Sequence, residues 1–313
     1  MDFQVIIHGG AGIISKSIDG AAYFAALERI IRKIHSFITS TASDVTAVDV
    51  VEFAVKQLED EPLFNAGRGS VLTNKGTFEL EASIMDGRDL GFGASSLVST
   101  VKNPVSLARL VMEKTRHCYL VGESAAQLAE AHGLEAVTDP LYYATEKRLH
   151  QLRGDQAAGR VALDHSVLGG GDSKGTVGCV AMVRGHVAAA TSTGGLSNKM
   201  SGRIGDTPIC GGGTYASDDS CAVSATGTGE ILMKYACCHA VSARVQLLRC
   251  SLQEAVDGVL AMMPPDTGGI IACNSRGDFS MGSNCGGMFR AQVSSDGSCR
   301  VGIWEEEIIT RIS

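Results

Sequence analysis

The stretch from Thr176 to Thr193 constrains the fold of this chain more than any other feature. An apolar strand is predicted over residues 176–183, and the turn Arg184-Gly185 leads into a second strand over residues 186–193. Two strands joined by so short a turn form an antiparallel hairpin. The other strands also come in groups instead of alternating with helices one by one. This order favours an α+β fold of antiparallel sheets covered by helices over a doubly wound parallel sheet.

Hydrophobic periodicity locates the other elements. Further strands are predicted at 3–8, 78–85, 269–273, 279–282, 288–292 and 301–304, and helices at 21–38, 44–58, 104–114, 123–132, 228–248 and 252–263. The run His8-Gly9-Gly10-Ala11-Gly12 is expected to form a loop, because glycine tolerates backbone conformations that other residues avoid. Ser43 or Asp44 is the expected N-cap of the second helix.

Composition excludes several functional classes. A net charge of −7 over 313 residues, without a Lys/Arg-rich run, argues against a nucleic-acid surface. The N-terminal residues lack the basic region of a signal peptide, and apolar runs end well before the roughly 20 residues that a membrane helix needs. The ten cysteines form no C-x-x-C pair, and the eight histidines show no metal-ligand spacing. We therefore expect a cytoplasmic globular protein with reduced thiols, no catalytic metal, and no nucleic-acid or membrane partner.

A flexible linker is expected at residues 155–175, which end in a glycine-rich stretch around Ser173. Residues 171–175 formally match G-x-S-x-G, the nucleophile elbow of α/β-hydrolases. That elbow needs a strand before the serine and a helix after it, whereas here a linker precedes Ser173 and a strand follows. A dinucleotide site at Gly227-Thr228-Gly229 is weaker still, because the third glycine and the βαβ context are missing.

A threonine that begins a strand directly after a linker suits an N-terminal nucleophile. A threonine hydroxyl is a poor nucleophile unless a base lies beside it. If the Gly175–Thr176 bond is cut, the freed α-amine of Thr176 has an unperturbed pKa of about 7.7–8.0 and can accept the hydroxyl proton. Gly175 has no side chain to block attack on its own carbonyl. Taken alone, a threonine such as Thr176 is far more often an ordinary strand residue than a nucleophile.

Two further clusters carry chemistry. Arg203 and Asp206 lie three residues apart in a predicted loop, and together they could hold the α-carboxylate and α-ammonium of an amino acid. A surface ion pair is the simpler interpretation. Thr226 and the Gly227 amide are suited to an oxyanion hole, and a helix N-cap at Thr226 is an equally good interpretation.

Together these motifs make the chain similar to the plant-type asparaginase/isoaspartyl peptidase family of N-terminal-nucleophile hydrolases. The resemblance covers essentially the whole length. Its motifs occur in the family's order at residues 8–12, 58–69, 79–87, 175–178, 191–206, 213–216 and 226–230. It implies a four-layer αββα sandwich, self-cleavage into an α subunit (1–175) and a β subunit (176–313), and a homodimer of the cleaved units.

The resemblance also implies catalytic roles. Thr176 would be the nucleophile and, through its α-amine, the base, and Thr193 would orient it. Thr226 and the Gly227 amide would form the oxyanion hole. Asn65 would support the nucleophile and the loop that precedes it.

Substrate and ion binding follow from the same resemblance. Arg203 would bind the substrate α-carboxylate, while Asp206 and the Gly229 carbonyl would bind the α-ammonium. No cofactor is implied for the chemistry. Residues 58–68 match a loop whose main-chain oxygens hold a structural sodium ion; these would belong to Leu58, Glu59, Glu61, Phe64, Ala66 and Arg68. Cys118 replaces a hydroxyl expected in potassium-responsive members, so potassium activation is not expected.

The reaction implied is hydrolysis of L-asparagine to L-aspartate and ammonia, and of β-aspartyl (isoaspartyl) dipeptides, through a Thr176 acyl-enzyme. The sequence does not rank the two substrates, because both present the same α-groups. Three alternatives stay open. A glycosylasparaginase would read Thr-Asn-Gly where this chain has Thr193-Gly194-Gly195, a threonine endopeptidase would lack the α-group clamp, and a binding protein would never mature.

Overall fold

A computed structural model describes residues 1–41, 44–161 and 175–312. Its strands are β1 (Phe3–Gly12), β2 (Leu80–Asp86), β3 (Phe92–Val98), β4 (Tyr119–Val121), β5 (Val177–Val183), β6 (His186–Thr193), β7 (Thr214–Ala216), β8 (Ala222–Gly227), β9 (Gly268–Cys273), β10 (Phe279–Ser283), β11 (Gly287–Ser294), β12 (Ser298–Gly302) and β13 (Glu307–Arg311). Its helices are α1 (Gly20–Ser40), α2 (Ala47–Glu59), α3 (Pro104–Lys114), α4 (Gly122–Ala131), α5 (Glu146–Ala157), α6 (Gly229–Lys234), α7 (Cys237–Leu248) and α8 (Leu252–Met262), with a 3-10 turn at Pro140–Tyr143.

Two sheets pack face to face between two layers of helices. The larger sheet has the order β13-β12-β11-β1-β5-β6-β2-β3-β4, and the smaller has the order β10-β9-β8-β7. Neighbouring strands are antiparallel apart from β3 and β4. Helices α1, α2 and α3 cover the outer face of the larger sheet, while α7 and α8 cover the smaller sheet. This is the αββα sandwich that the resemblance implies, and the α+β prediction is confirmed.

Each gap between layers is filled by its own apolar cluster. Side chains such as Ile7 and Val177 face α1 and α2, whereas Ile6 and Val180, in the same two strands, face the second sheet. Both sides of the central strands are therefore buried, which explains why residues 177–183 are apolar without alternation. No helix in the described ranges is long and apolar enough to cross a bilayer.

The prediction of a loop at residues 8–12 is wrong, because β1 continues to Gly12. It pairs with β11 across a register shift between His8 and Gly10. Gly10 has φ +117°, and a Cβ there would lie 2.7 Å from the backbone nitrogen of Gly175. These glycines therefore allow a bulge and a close approach of two chain segments within a strand, instead of the predicted loop.

Two helices differ from their predicted bounds. The N-cap of α2 is Thr46, in a capping box with Asp49, so neither Ser43 nor Asp44 has that role. The predicted helix at 228–248 is two helices, separated at Ala236, which has φ +45°. A left-handed alanine is unfavourable locally, and burial of the next residues, Cys237 and Cys238, accompanies it here.

Two other differences concern polar or exposed segments. The strand predicted at 301–304 is β12, shifted toward the N-terminus, and the edge strand β13 was not predicted because its apolar residues Ile308 and Ile309 are exposed. Residues 155–157 of the predicted linker are the end of α5, where buried Asp155 pairs with Arg160. Residues 162–174, including Ser173, lie outside the described residues.

Candidate active site

Three buried threonines meet where the two sheets come together. Thr176 immediately precedes β5, and Thr193 ends β6 beside it, since Val177 pairs with Ser192. Thr226 lies opposite, in β8 of the smaller sheet. A Cβ built on Gly175 would lie 2.6 Å from the Thr226 hydroxyl oxygen. The hydroxyl of Thr226 is therefore directly beside the residue whose carbonyl precedes Thr176.

The Thr226 hydroxyl is buried and has no hydrogen-bond partner among the described residues. Such a group costs free energy unless a ligand or water satisfies it. The N-cap interpretation is wrong, because Thr226 belongs to β8 and α6 begins only at Gly229. Gly227 has φ +146°, and a Cβ there would meet the Thr267 carbonyl at 2.1 Å, so no other residue fits beside Thr226.

Asn65 supports the turn that follows Thr193. Its side-chain nitrogen, Nδ2, donates to the Gly195 carbonyl at 2.8 Å. Its backbone carbonyl accepts from the Gly194 amide at 3.1 Å. The Thr193 hydroxyl in turn accepts a hydrogen bond from the Gly195 amide at 3.0 Å. Among the described residues, Asn65 therefore acts on the site through Thr193 and its turn.

The residues predicted to bind the α-groups of an amino acid lie close together. A Cβ on Gly229 would lie 2.7 Å from Asp206 Oδ1 and 2.9 Å from a terminal nitrogen of Arg203, so the three residues converge. The Arg203 side chain is only 15% exposed, which is unlike a surface pair. Its ion pair is with Glu230, at 2.9 Å, and not with Asp206. The sequence had assigned no role to Glu230.

Among the described residues, the Asp206 carboxylate lacks some of the hydrogen-bond partners that a buried carboxylate usually has. It is buried, and its Oδ2 makes no hydrogen bond within the described part of the chain. Burial raises the pKa of its carboxyl to about 7, although nearby Arg203 acts in the opposite direction. A ligand carrying an ammonium group would favour the ionised form again. The carboxylate is thus suited to binding a cation that arrives with the substrate.

A fully buried ion pair braces the loop that carries the clamp. Lys199 donates to Glu81 Oε1 at 3.3 Å and to the Glu79 carbonyl at 2.8 Å. Glu81 Oε2 accepts from the Gly205 amide at 2.9 Å, and Glu81 pairs with Thr193 in the sheet. Burial lowers the pKa of the Lys199 ammonium, opposed by the Glu81 charge. The sequence reasoning missed this pair; the alternation Glu79-Leu80-Glu81 within an apolar strand was the available signal.

The predicted ion-binding loop gathers main-chain oxygens. Gly67 and Gly69 both have positive φ, and a Cβ on Gly69 would meet the carbonyls of Pro62 and Phe64 at 2.5 and 2.7 Å. The Leu58, Glu59 and Glu61 carbonyls accept backbone hydrogen bonds. The carbonyls of Phe64, Ala66 and Arg68 accept none from any described residue. Half of the predicted ligand set is therefore available to a hard cation, which prefers oxygen ligands.

Within the described ranges, no three His, Cys, Asp or Glu side chains are grouped to hold a metal ion. All ten cysteines are unpaired.

Comparison with known proteins agrees with this geometry. The sequence of an "isoaspartyl peptidase" from Salmonella typhimurium is 41% identical, over 96% of this chain and 98% of its own length. A "probable isoaspartyl peptidase/L-asparaginase 2" from Arabidopsis thaliana is 41% identical over 97% and 99%. The human "isoaspartyl peptidase/L-asparaginase" is 40% identical over 88% of both chains. A sequence model described as "Asparaginase" matches residues 1–303. With the threonines and the clamp assembled in one αββα sandwich, the chain belongs to this asparaginase family of hydrolases.

Proposed function

We propose that this chain cleaves itself between Gly175 and Thr176 and then hydrolyses L-asparagine and β-aspartyl dipeptides through a Thr176 acyl-enzyme. The observation that carries the proposal is the 2.6 Å separation between the Gly175 Cβ position and the unpartnered Thr226 hydroxyl. A free donor held beside the residue whose carbonyl precedes a buried threonine is suited to acyl transfer. The names of the relatives supply the substrate class.

Self-cleavage would be an N-to-O acyl shift. The Thr176 hydroxyl oxygen attacks the Gly175 carbonyl carbon, the oxyanion is stabilised by the Thr226 hydroxyl, and the peptide C–N bond breaks. The hydroxyl proton passes to the departing nitrogen, which becomes the Thr176 α-amine. Water then hydrolyses the ester, leaving a carboxylate on Gly175. Chain 176–313 would begin with Thr176, whose hydroxyl and amine are then both free.

Hydrolysis would repeat this chemistry on a bound substrate. The Thr176 α-amine accepts the hydroxyl proton as the oxygen attacks the side-chain amide carbon of asparagine. The oxyanion lies between the Thr226 hydroxyl and the Gly227 amide, where one donor typically contributes about 2.7–4 kcal/mol. The proton is returned to the leaving nitrogen, and ammonia or an amino acid departs. Water attacks the β-aspartyl ester and releases aspartate, regenerating Thr176.

Specificity would come from the charged clamp. Arg203 would bind the substrate α-carboxylate, sharing or replacing its pair with Glu230, and Asp206 with the Gly229 carbonyl would bind the α-ammonium. Both groups exist only when the aspartyl residue has a free α-amine and α-carboxyl, so internal peptide bonds are excluded. Buried charges left unpaired by a substrate that lacks these groups make the discrimination strong.

The first test is the mass of the purified protein under denaturing conditions, followed by assays of the separated species. Two fragments split between residues 175 and 176, with release of ammonia from asparagine, are expected. A stable full-length mass without turnover would contradict the proposal and favour a non-enzymatic relative. Activity on glycosylated asparagine alone would favour a glycosylasparaginase, and cleavage of a folded protein would favour an endopeptidase.

We also propose a structural sodium ion on the main-chain oxygens of residues 58–68. The free carbonyls of Phe64, Ala66 and Arg68 support it, and the ion would take no part in the chemistry. The melting temperature is expected to fall when sodium is removed or replaced by potassium at constant ionic strength. A melting curve that does not depend on the cation would contradict the site.

The quaternary state proposed is a homodimer of cleaved units in the cytoplasm. Light scattering on the matured protein should give twice the mass of one chain. A mass equal to one chain at micromolar concentration would contradict it.

A further inference from the structure

A buried row of hydrogen bonds lies directly beneath the three threonines, and the mechanism above does not use it. His8 Nε2 is 2.9 Å from the Ser224 hydroxyl, which is 2.8 Å from the Thr191 hydroxyl. His8 belongs to β1, Ser224 to β8 and Thr191 to β6, and all three side chains are completely buried. One hydrogen-bond network therefore joins both sheets, one layer of side chains below the three threonines.

The register of the strands relates this row to the catalytic residues. Thr191 lies two residues before Thr193, and Ser224 lies two residues before Thr226. His8 pairs across the sheet with Gly178, which is two residues after Thr176. Residues two apart in a strand share a face, so each member of the row lies below one threonine.

Gly178 makes room for the contact between the sheets. A Cβ at this position would lie 2.1 Å from the Ser224 hydroxyl and 2.4 Å from His8 Nε2. Any other residue would push apart the atoms that form the His8–Ser224 hydrogen bond. The glycine two residues after the nucleophile is thus explained by the row beneath the site.

The row continues toward the clamp. The Thr214 hydroxyl donates to Thr191 at 2.5 Å, and the Ser83 hydroxyl is 2.8 Å from that of Thr214. The Ser83 hydroxyl also donates to the carbonyl of Thr207, the residue after Asp206, at 2.6 Å. Each hydroxyl orients the next, and in a low-dielectric interior such networks hold one arrangement strongly.

His8 is uncharged in this environment. Burial lowers the pKa of its imidazole to about 3, with a smaller opposing contribution from the Thr176 backbone. A neutral ring fits a row of hydroxyls, and it leaves the α-amine of Thr176 as the base. His8 therefore serves the geometry of the site and not its charge.

We propose that His8, through Ser224 and Thr191, is a positioning residue that fixes Thr226 in one sheet relative to Thr176 and Thr193 in the other. This inference rests on the proposed function of Thr176 and adds residues that set its geometry. The row fixes the distance between nucleophile and oxyanion donor, so it acts on the rate of acyl transfer. Only the far end of the row, where Ser83 donates to the Thr207 carbonyl, adjoins Arg203 and Asp206. Interrupting the His8–Ser224 hydrogen bond should therefore leave the affinity for the α-groups of the substrate unchanged.

The test compares Ser224→Ala and His8→Leu, which interrupt the row, with His8→Gln, which keeps a hydrogen-bonding group near the position of Nε2. Ser242→Ala is the matched control: it breaks the hydrogen bond between two other buried hydroxyls, Ser220 and Ser242, which lie 2.7 Å apart on the far side of the smaller sheet. For each variant we would measure the rate of self-cleavage by mass, kcat and KM for asparagine on the cleaved fraction, and the melting temperature.

Ser224→Ala and His8→Leu are expected to lower kcat and the self-cleavage rate about tenfold or more, with KM within about twofold of wild type. The double variant should be no slower than the worse single variant, and His8→Gln should recover most of the rate. Ser242→Ala should lower the melting temperature without changing kcat. If His8→Leu does not fold, Ser224→Ala and His8→Gln alone decide the outcome.

The proposal is overturned if Ser224→Ala loses no more kcat than Ser242→Ala, or if KM changes in place of kcat. This result is distinct from failure of the proposed function, in which the wild-type chain itself would neither cleave nor release ammonia.

Discussion

Around Thr176 the site consists of uncharged hydroxyls and glycine backbone, whereas around Arg203 and Asp206 it consists of buried charges. The first region joins three strands of two sheets through short hydrogen bonds such as His8–Ser224. The second is a loop held to β2 by the Lys199–Glu81 ion pair. The comparison suggests a division of labour: neutral groups that cost little to bury set the reaction geometry, and costly charges select the substrate.

The most severe test of this division is Thr176→Ala. It should abolish self-cleavage and lower hydrolysis on the order of 10⁶-fold, as loss of a nucleophile does in other hydrolases. Intact mass and ammonia release measure the two effects. Turnover clearly above background in the variant would mean that another group is the nucleophile.

Arg203→Ala should affect only the charged region. Loss of a buried partner for the substrate carboxylate costs about 2–5 kcal/mol, so kcat/KM for asparagine should fall roughly 30- to 5,000-fold, mainly through KM. Self-cleavage should proceed at the wild-type rate, since the chain's own bond carries no α-carboxylate. Unchanged kinetics would show that Arg203 is purely structural. A block of self-cleavage would show that the charged region also affects the reaction at Thr176.

Lys199→Met probes the brace beneath the clamp. It leaves the Glu81 carboxylate buried without its cation, which should lower the free energy of unfolding by about 3–5 kcal/mol. The double variant Lys199→Met/Glu81→Leu should regain much of that stability while KM stays high, because the Gly205 amide loses its acceptor. Chemical denaturation and steady-state kinetics measure the two. Full recovery of KM in the double variant would show that the loop is held by other contacts.

The pH dependence of substrate binding should follow Asp206. Only the ionised carboxylate can bind an ammonium group, so KM should rise as the pH falls through about 7, the raised pKa of this residue. In the absence of substrate, the contribution of Asp206 to the free energy of unfolding changes with pH in the opposite direction. A raised folded-state pKa stabilises the fold below the ordinary pKa of an aspartate, and that contribution is lost as the pH rises through 7.

Asp206→Asn separates the two effects. It should raise the melting temperature at pH 8 while greatly weakening substrate binding and removing the pH dependence of KM. A variant that is less stable than wild type at pH 8 would show that the carboxylate is satisfied in the free protein.

The smallest effect is expected for Glu230→Gln. Its pair with Arg203 is half exposed on the glutamate side, where ion pairs contribute up to about 1 kcal/mol. Removing a competitor of the substrate carboxylate should lower KM by a few-fold at most, and Glu230→Asp is the matched control that keeps the charge. A higher KM would mean that Glu230 orients Arg203 instead of competing for it.

The sequence predicted the fold class and most elements, because buried strands such as β5 and β6 consist largely of apolar residues that can be recognised in the sequence. The αββα layering came from family resemblance. Local patterns failed where packing overrides propensity, as at the left-handed Ala236 between α6 and α7. They also failed where glycine serves a close approach, as at Gly10 in β1, since the neighbouring atom is 165 residues away in sequence.

For the site, single residues near a motif were predictable and pairs across the fold were not. Arg203, Asp206 and Thr226 lie in recognisable clusters, and the structure brings Arg203 and Asp206 together beside Gly229. The Lys199–Glu81 pair and the His8–Ser224 contact join positions more than 100 residues apart. The strand pattern indicates that Glu81 is unusual, but one sequence does not show which residue is its partner. The Arg203 partner, Glu230, is only 27 residues away, but it was missed because local patterns do not show which side chains of a loop and a helix the fold brings together.

The position of Gly175 also implies an order of events in time. Its backbone occupies the space beside the Thr226 hydroxyl that the acyl group of any later substrate must enter. If the proposed self-cleavage occurs, each molecule would be its own first substrate, and it would be closed to others until residue 175 has left. Newly made protein should show a lag before steady hydrolysis, with a first-order constant independent of protein concentration. Enzyme activity would then report the age of the molecule as well as its amount.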